Sequence, residues 1–142
     1  MGPANSYANA INQAGVVVGN YYLGAPGISP SRGFINRGKG VVTLGKLGGA
    51  SSKAVAVNDK GQVLGNWTTR NGQQRGFIYY RRKPRDIGTV PGRVTSYTGI
   101  NNAGYVTAIG SAAGFPGGCG ATCVRRVDSS GTSASSHSGS RC

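Results

Sequence analysis

The sequence predicts an all-β protein made of repeated four-stranded antiparallel units. Three observations support this prediction. Glycine accounts for 26 of the 142 residues, apolar residues occur in short β-branched or aromatic runs, and one turn motif occurs three times. A chain rich in Gly, Ser, Thr and Asn favours short strands joined by tight turns over helices.

The repeated motif is Asn-x-x-Gly, preceded by small or β-branched residues and followed by a β-rich run. The turns begin at Asn12, Asn58 and Asn101 and end at Gly15, Gly61 and Gly104. An Asn side chain at the first turn position can hydrogen-bond the backbone two residues on, and Gly tolerates positive φ at the last. The motif therefore predicts a type I turn with a Gly bulge between two antiparallel strands.

The strands of the first unit follow from its residue types. Small and apolar residues alternate before the first turn, Val16, Val17 and Val18 supply β-branched bulk after it, and loops rich in Gly and Pro separate the later runs. We predict strands at 7–12, 15–23, 32–36 and 41–44. The second unit repeats this order, with strands at 53–58, 62–68, 75–80 and 86–87 and a basic turn at 81–85. A third unit opens with strands at 95–101 and 105–109 and then stops.

The spacing of the motif supports a structural repeat. Gly15 and Gly61 are 46 residues apart and Gly61 and Gly104 are 43 apart, and the difference lies in the loop between the second and third strands. About 43 residues with four strands is the size of a β-propeller blade. We predict a β-repeat domain over 1–111 with units at 6–49, 50–92 and 93–111, which is about two and a half units.

Such a unit buries only one face against each neighbour, so roughly three or more are needed for stability. One copy with about two and a half blades cannot close a propeller of four or more. The sequence leaves open a fragment, an open stack of sheets, a curled two-sheet arrangement, or a protomer that completes a ring by self-association.

The composition changes after residue 111. Residues 112–142 are rich in Ser and Gly without apolar periodicity, so we predict a disordered tail. All three cysteines lie there, at Cys119, Cys123 and Cys142, and their pairing stays open because the number is odd.

Several phrases resemble a known family. Ala10-Ile-Asn-Gln-Ala-Gly-Val-Val-Val-Gly19, Ala56-Val-Asn-Asp-Lys-Gly-Gln-Val-Leu-Gly65 and Gly76-Phe-Ile-Tyr79 are similar to the bacterial extracellular repeat family named for its His-Ala-Phe motif, although Arg-Gly stands here for His-Ala. The resemblance covers about 6–111. It implies a β-propeller-like fold, an extracellular or cell-surface location and no established catalysis. The first residues lack a basic region followed by an apolar one, so no signal peptide is expected in this chain.

The residues needed for catalysis are scarce. The only histidine is His137 in the tail, and the only carboxylates are Asp59, Asp86 and Asp128. Neither a nucleophile–histidine pair nor a pair of glycosidase carboxylates can be assembled from them. We predict no enzyme activity, no metal site and no cofactor.

Basic residues dominate the charge, which is +13 overall, and such an excess favours anionic partners. Aromatic and cationic residues cluster in the second unit. The candidate ligand-binding residues are Trp67, Arg70, Tyr79, Tyr80, Arg81, Arg82, Lys83 and Arg85. Aromatic faces stack on bases or sugar rings and Arg binds phosphate or carboxylate. In the opposing interpretation, Tyr79 or Tyr80 packs between sheets and the basic turn is merely solvated.

Together these observations predict a non-enzymatic binding or structural module of a bacterial secreted or surface protein. Its expected partner is an anionic polysaccharide, another anionic polymer or a protein. The alternative prediction is a basic β-sheet protein that binds nucleic acid through Trp67 and the segment 79–85. No membrane span is expected, because no apolar run is long enough.

Overall fold

A computed structural model describes residues 5–25, 29–44, 47–88, 94–111, 120–127 and 133–135, and these residues form strands and connections without a helix. The strands are β1 Asn5–Ile11, β2 Val17–Tyr22, β3 Ser31–Asn36, β4 Val41–Thr43, β5 Ser51–Val57, β6 Val63–Thr68, β7 Gln74–Tyr80, β8 Lys83–Gly88, β9 Val94–Ile100, β10 Tyr105–Ser111, β11 Gly120–Val127 and β12 Ser133–Ser135. No helix in these ranges is long and apolar enough to cross a membrane.

The strands form three antiparallel sheets. Unit 1 has the order β1-β2-β3-β4 and unit 2 the order β5-β6-β7-β8. Unit 3 is built on the β9–β10 pair, and the backbones of β11 and β12 continue it in the same up-and-down order. Within the described ranges no sheet closes into a barrel. The predicted all-β class is therefore confirmed.

The predicted strands of the first two units are confirmed, with boundaries that differ by one or two residues and a larger change at the start of β8. The basic turn consists of Arg81 and Arg82 alone, both with positive φ, rather than of residues 81–85. Two central residues with positive φ match the twist of the flanking strands in a two-residue hairpin. Pairing consequently starts at once, between Tyr80 and Lys83, and β8 is longer than the two residues predicted.

Within the segment 112–142, predicted to be a disordered tail, the structure describes the strands β11 and β12. β11 pairs with β10 from Ser111 opposite Gly120 to Tyr105 opposite Arg126. Its sequence, Gly-Ala-Thr-Cys-Val-Arg-Arg-Val, contains the β-branched residues that strands favour, and the edge of β10 offers the hydrogen bonds that an isolated polar tail lacks. Unit 3 thus extends beyond residue 111. Cys119, His137 and Cys142 lie outside the described residues.

The units also share an irregularity in their first strands. The register with the second strand skips one residue in each, namely Asn9, Val55 and Thr98. Because a β-bulge bends its strand and re-aims the neighbouring side chains, the first strands of the three sheets are irregular at matching positions.

Two apolar cores lie between the sheets. The sheet 1–2 contact consists of Val18, Ile35, Leu44, Ala54, Val63, Phe77 and Tyr79. The sheet 2–3 contact consists of Leu64, Ile78, Ile87, Tyr97, Val106 and Ala108. The sequence pattern also predicts Ile11 as a core residue, and this is wrong: Ile11 is 67% exposed. Its equivalents Val57 and Ile100 pack against a preceding sheet, whereas no described sheet precedes unit 1.

Candidate functional site

The three Asn-x-x-Gly turns have one local geometry. Gly15, Gly61 and Gly104 have φ of 78°, 82° and 84°, in the region where glycine is favoured. In each turn the Asn side-chain oxygen accepts a 2.9 Å hydrogen bond from the backbone N–H four residues on. The turn prediction is confirmed, but the main capping bond spans four residues. The expected bond to the residue two positions on accompanies it at Asn101, which also accepts from Ala103 at 3.1 Å.

The same asparagines join neighbouring units. Asn12 Nδ2 donates to the Asn58 carbonyl at 2.9 Å, and Asn58 Nδ2 donates to the Asn101 carbonyl at 3.0 Å. Each amide therefore caps its own turn through oxygen and binds the next turn through nitrogen. These bonds hold the three turns side by side at one end of the sheets.

A second row of hydrogen bonds runs beside the first. The Gln13 N–H donates to Asp59 Oδ1 at 2.9 Å, and the Asp59 N–H donates to Asn102 Oδ1 at 2.8 Å. Asn102 Nδ2 returns a 2.9 Å bond to Asp59 Oδ2. The bond from Gln13 and then the bond from Asn102 hold the pKa of the exposed Asp59 carboxyl below its ordinary value of 3.8. We call the two rows together the turn ladder.

The turn ladder lies at the end of the sheets where the third strands also turn into the fourth, because β1 and β3 both run antiparallel to β2 and so end on the same side. We call this the turn end. Its exposed cations in units 1 and 2 are Arg37, Lys39, Lys60, Arg81, Arg82 and Lys83. The carboxylate among them is Asp59, which is engaged in the turn ladder. The turn end is therefore strongly cationic.

The predicted aromatic residues of this region, Tyr79 and Tyr80, are buried or half-buried. Tyr79 is only 6% exposed and belongs to the sheet 1–2 contact, so the interpretation that it packs between sheets is confirmed. Tyr80 is half-buried, and the Arg81 guanidinium lies over its ring, 5.2 Å from Cζ to the ring centroid. Arg82, Lys83 and Arg85 are exposed.

Trp67 and Arg70 lie at the opposite end. Trp67 pairs with Arg75 near the start of β7, and the rise of a strand places Arg75 roughly 20 Å from Arg81. The Trp67 indole N–H donates to Asp86 at 3.4 Å, and Arg75 forms a 2.7 Å ion pair with the same carboxylate. The predicted patch is thus divided between the two ends of the sheet.

This opposite end, the loop end, contains a cavity of about 640 Å³. Its lining includes Tyr22, Ser31, Lys53, Trp67 and Gln74. Trp67 therefore faces a mixed aromatic and polar space, separate from the cationic turn end.

Three cations at the turn end were missed from the sequence: Arg37, Lys39 and Lys60. A signal was available for the first two, because they occupy in unit 1 the β3–β4 turn that corresponds to Arg81–Arg82 in unit 2. Nothing in the sequence near Lys60 indicates that it belongs to this group of cations, because only the stacking of the units brings its turn beside the others.

The described residues contain no group of three or more His, Cys, Asp or Glu side chains that could hold a metal ion. Comparisons with family models, with curated proteins and with solved structures find no match to the chain.

Proposed function

We propose that the protein is a non-enzymatic β-repeat module that binds an anionic polymer through its turn end. The observation that supports this proposal is the concentration of exposed cations from two units on one edge, with the neighbouring carboxylate engaged in hydrogen bonds. A row of like charges attracts a polyanion over a distance and holds it by several weak contacts. The resemblance to the His-Ala-Phe repeat family makes a bacterial surface or secreted setting part of the proposal.

An acidic polysaccharide is the polyanion we favour over nucleic acid. Proteins that bind single strands combine cations with open aromatic faces on which bases stack. At the turn end Tyr79 is buried and the Tyr80 ring lies under Arg81, while Trp67 lies at the other end. Contacts there rest on charge rather than on stacking. Nucleic acid and a neutral sugar are the competing ligands in the test.

The test compares two triple variants that remove equal charge. One replaces Arg81, Arg82 and Lys83 with Ser. The control replaces the exposed Lys53 and Arg70 and the half-buried Arg32, which lie toward the loop end. Exposed ion pairs contribute about 0.5 kcal/mol each. The turn-end variant should therefore bind alginate or heparin about tenfold more weakly, while the control should lose much less.

Affinities are measured by titration at two salt concentrations, with single-stranded DNA and neutral dextran as further ligands. A preference for DNA that persists in the turn-end variant but disappears in Trp67→Ala supports the nucleic-acid alternative. Equal losses in both triple variants contradict a localised site. So does the absence of polysaccharide binding in the unmodified chain.

A further inference from the structure

Units 1 and 3 each have one side that no described sheet covers. On the outer side of unit 1, Ile11 is 67% exposed, although its equivalents Val57 and Ile100 pack against a neighbouring sheet. On the outer side of unit 3, Ile109 is 50% exposed, although the equivalent Asn20 in unit 1 is 3% exposed. Positions that are covered inside the stack are thus open at its two ends.

The turn ladder has a direction that distinguishes these two sides. Each unit donates from its Asn amide and from the following N–H, and the next unit accepts at its Asn carbonyl and the following side chain. At unit 3 the donors Asn101 Nδ2 and Asn102 N–H bind no described residue. At unit 1 the equivalent acceptors are the Asn12 carbonyl and the Gln13 side chain, and Gln13 Oε1 likewise accepts from no described group.

We infer that the outer side of unit 3 docks head to tail on the outer side of unit 1 of a second copy of the chain. The docked faces would add one more rung to each row of the turn ladder, from Asn101 to Asn12 and from Asn102 to Gln13. Ile109 would lie over the exposed first strand β1, where the equivalent Asn66 lies over β9 within the chain.

A second copy fits better than an unrelated partner because the missing groups are complementary within this one sequence. The unit 3 face has two donors without a described acceptor. The unit 1 face has the two equivalent acceptors without a described donor from another unit, although the Asn12 carbonyl accepts from Gly15 N–H within its own turn, as the Asn58 carbonyl does from Gly61 N–H. The interface would also continue two contacts that the chain already makes between its own units. Such a contact is heterologous, so it closes into a ring or extends. Two copies would bring six sheets together, within the four to eight of closed propellers.

The test uses two single variants of the full chain and their mixture. Ile11→Arg blocks the unit 1 face and Ile109→Arg blocks the unit 3 face. Val42→Arg is the control, because Val42 is 54% exposed on the edge strand β4, outside both faces, and the charge change is the same. Sedimentation velocity gives the mass at near-physiological salt, and circular dichroism verifies folding.

We expect the unmodified chain and Val42→Arg to associate and each isoleucine variant alone to be monomeric. Mixing the two isoleucine variants should restore a one-to-one complex, because each retains the face that the other lacks. A purely monomeric unmodified chain overturns the inference. Loss of association in Val42→Arg alone points to edge-strand pairing, and a mixture that stays monomeric excludes head-to-tail docking; either result also overturns it.

Discussion

The sheet 1–2 contact and the sheet 2–3 contact use equivalent positions with side chains of very different size. In the first, a β-carbon added to Gly33 would lie 3.2 Å from the Ala54 nitrogen, so backbone packs close to backbone. In the second, a β-carbon on the equivalent Gly76 would overlap the ring of Tyr97, the residue equivalent to Ala54. Glycine at position 76 makes room for the ring, and at position 33 a β-carbon would crowd the facing strand.

The polar parts of the two contacts differ in the same way. Asn66 binds the backbone of Tyr97 on both sides, accepting from its N–H at 2.7 Å and donating to its carbonyl at 3.0 Å. In the first contact Asn9, at the bulge, donates both to the equivalent Asn20 and to the Ala54 carbonyl. The two contacts therefore share a close approach of the strands, whereas different side chains fill the space and form the hydrogen bonds.

The largest expected effect comes from making the second contact resemble the first. Tyr97 is 1% exposed, and Tyr97→Ala leaves a cavity that close-packed sheets fill only in part. Loss of a buried aromatic side chain costs about 3–5 kcal/mol of unfolding free energy. Urea denaturation measures it.

Tyr97→Phe is the matched control. It removes only the hydroxyl, whose bond to the Gly88 carbonyl is long at 3.3 Å, so we expect a loss of about 1 kcal/mol or less. If Tyr97→Ala costs no more than Tyr97→Phe, the sheets close over the gap and the two contacts do not depend on the ring.

A smaller difference in stability is expected between variants of the middle turn, at Asn58, and of the third turn, at Asn101. The Asn58 amide is buried, accepts from the Gln62 N–H and donates to both Gln62 Oε1 and the Asn101 carbonyl. The Asn101 side chain is exposed and, among the described residues, bonds only within its own turn. Asn58→Ala should cost about 2–3 kcal/mol and Asn101→Ala about 1 kcal/mol, because only the first leaves buried polar groups unsatisfied.

Chemical denaturation of both variants gives the difference. Equal costs would mean that the turn ladder between units adds nothing to the local cap, and would also weaken the docking proposed from it.

The smallest expected effect concerns acid. Hydrogen bonds from Gln13 and Asn102 lower the pKa of Asp59 in the folded chain. Its contribution is therefore fully present above the ordinary value of 3.8 and is lost as the pH falls through the lowered folded value. Asp59→Asn should show a shallower fall in melting temperature over that acidic range than the unmodified chain.

Asp86→Asn is the comparison variant, because Asp86 lies at the loop end, away from the turn ladder. If the melting temperatures of Asp59→Asn and of the unmodified chain fall equally as the pH is lowered, the ionised carboxylate has no role in joining the units.

The candidate site was only partly predictable. The cations in the β7–β8 turn were found because they are consecutive in the sequence. Trp67 was assigned to the same patch because it lies in the neighbouring strand, yet β7 separates it from Arg81 by most of the height of the sheet. Grouping residues by type and by neighbouring strand does not show how far apart they lie along the strands.

By itself, the sequence determined the strands, the turns and their period, since an Asn cap, a Gly with positive φ and alternating residues act within a few positions of one another. Only the tertiary structure decided which side of each sheet is covered. Ile11 is exposed, whereas the equivalent Val57 packs against a core. Tyr79 is buried, whereas Arg81 and Arg82 close to it in the sequence are exposed. Burial depends on whether another sheet lies on that side, and such contacts join residues about one repeat apart along the chain.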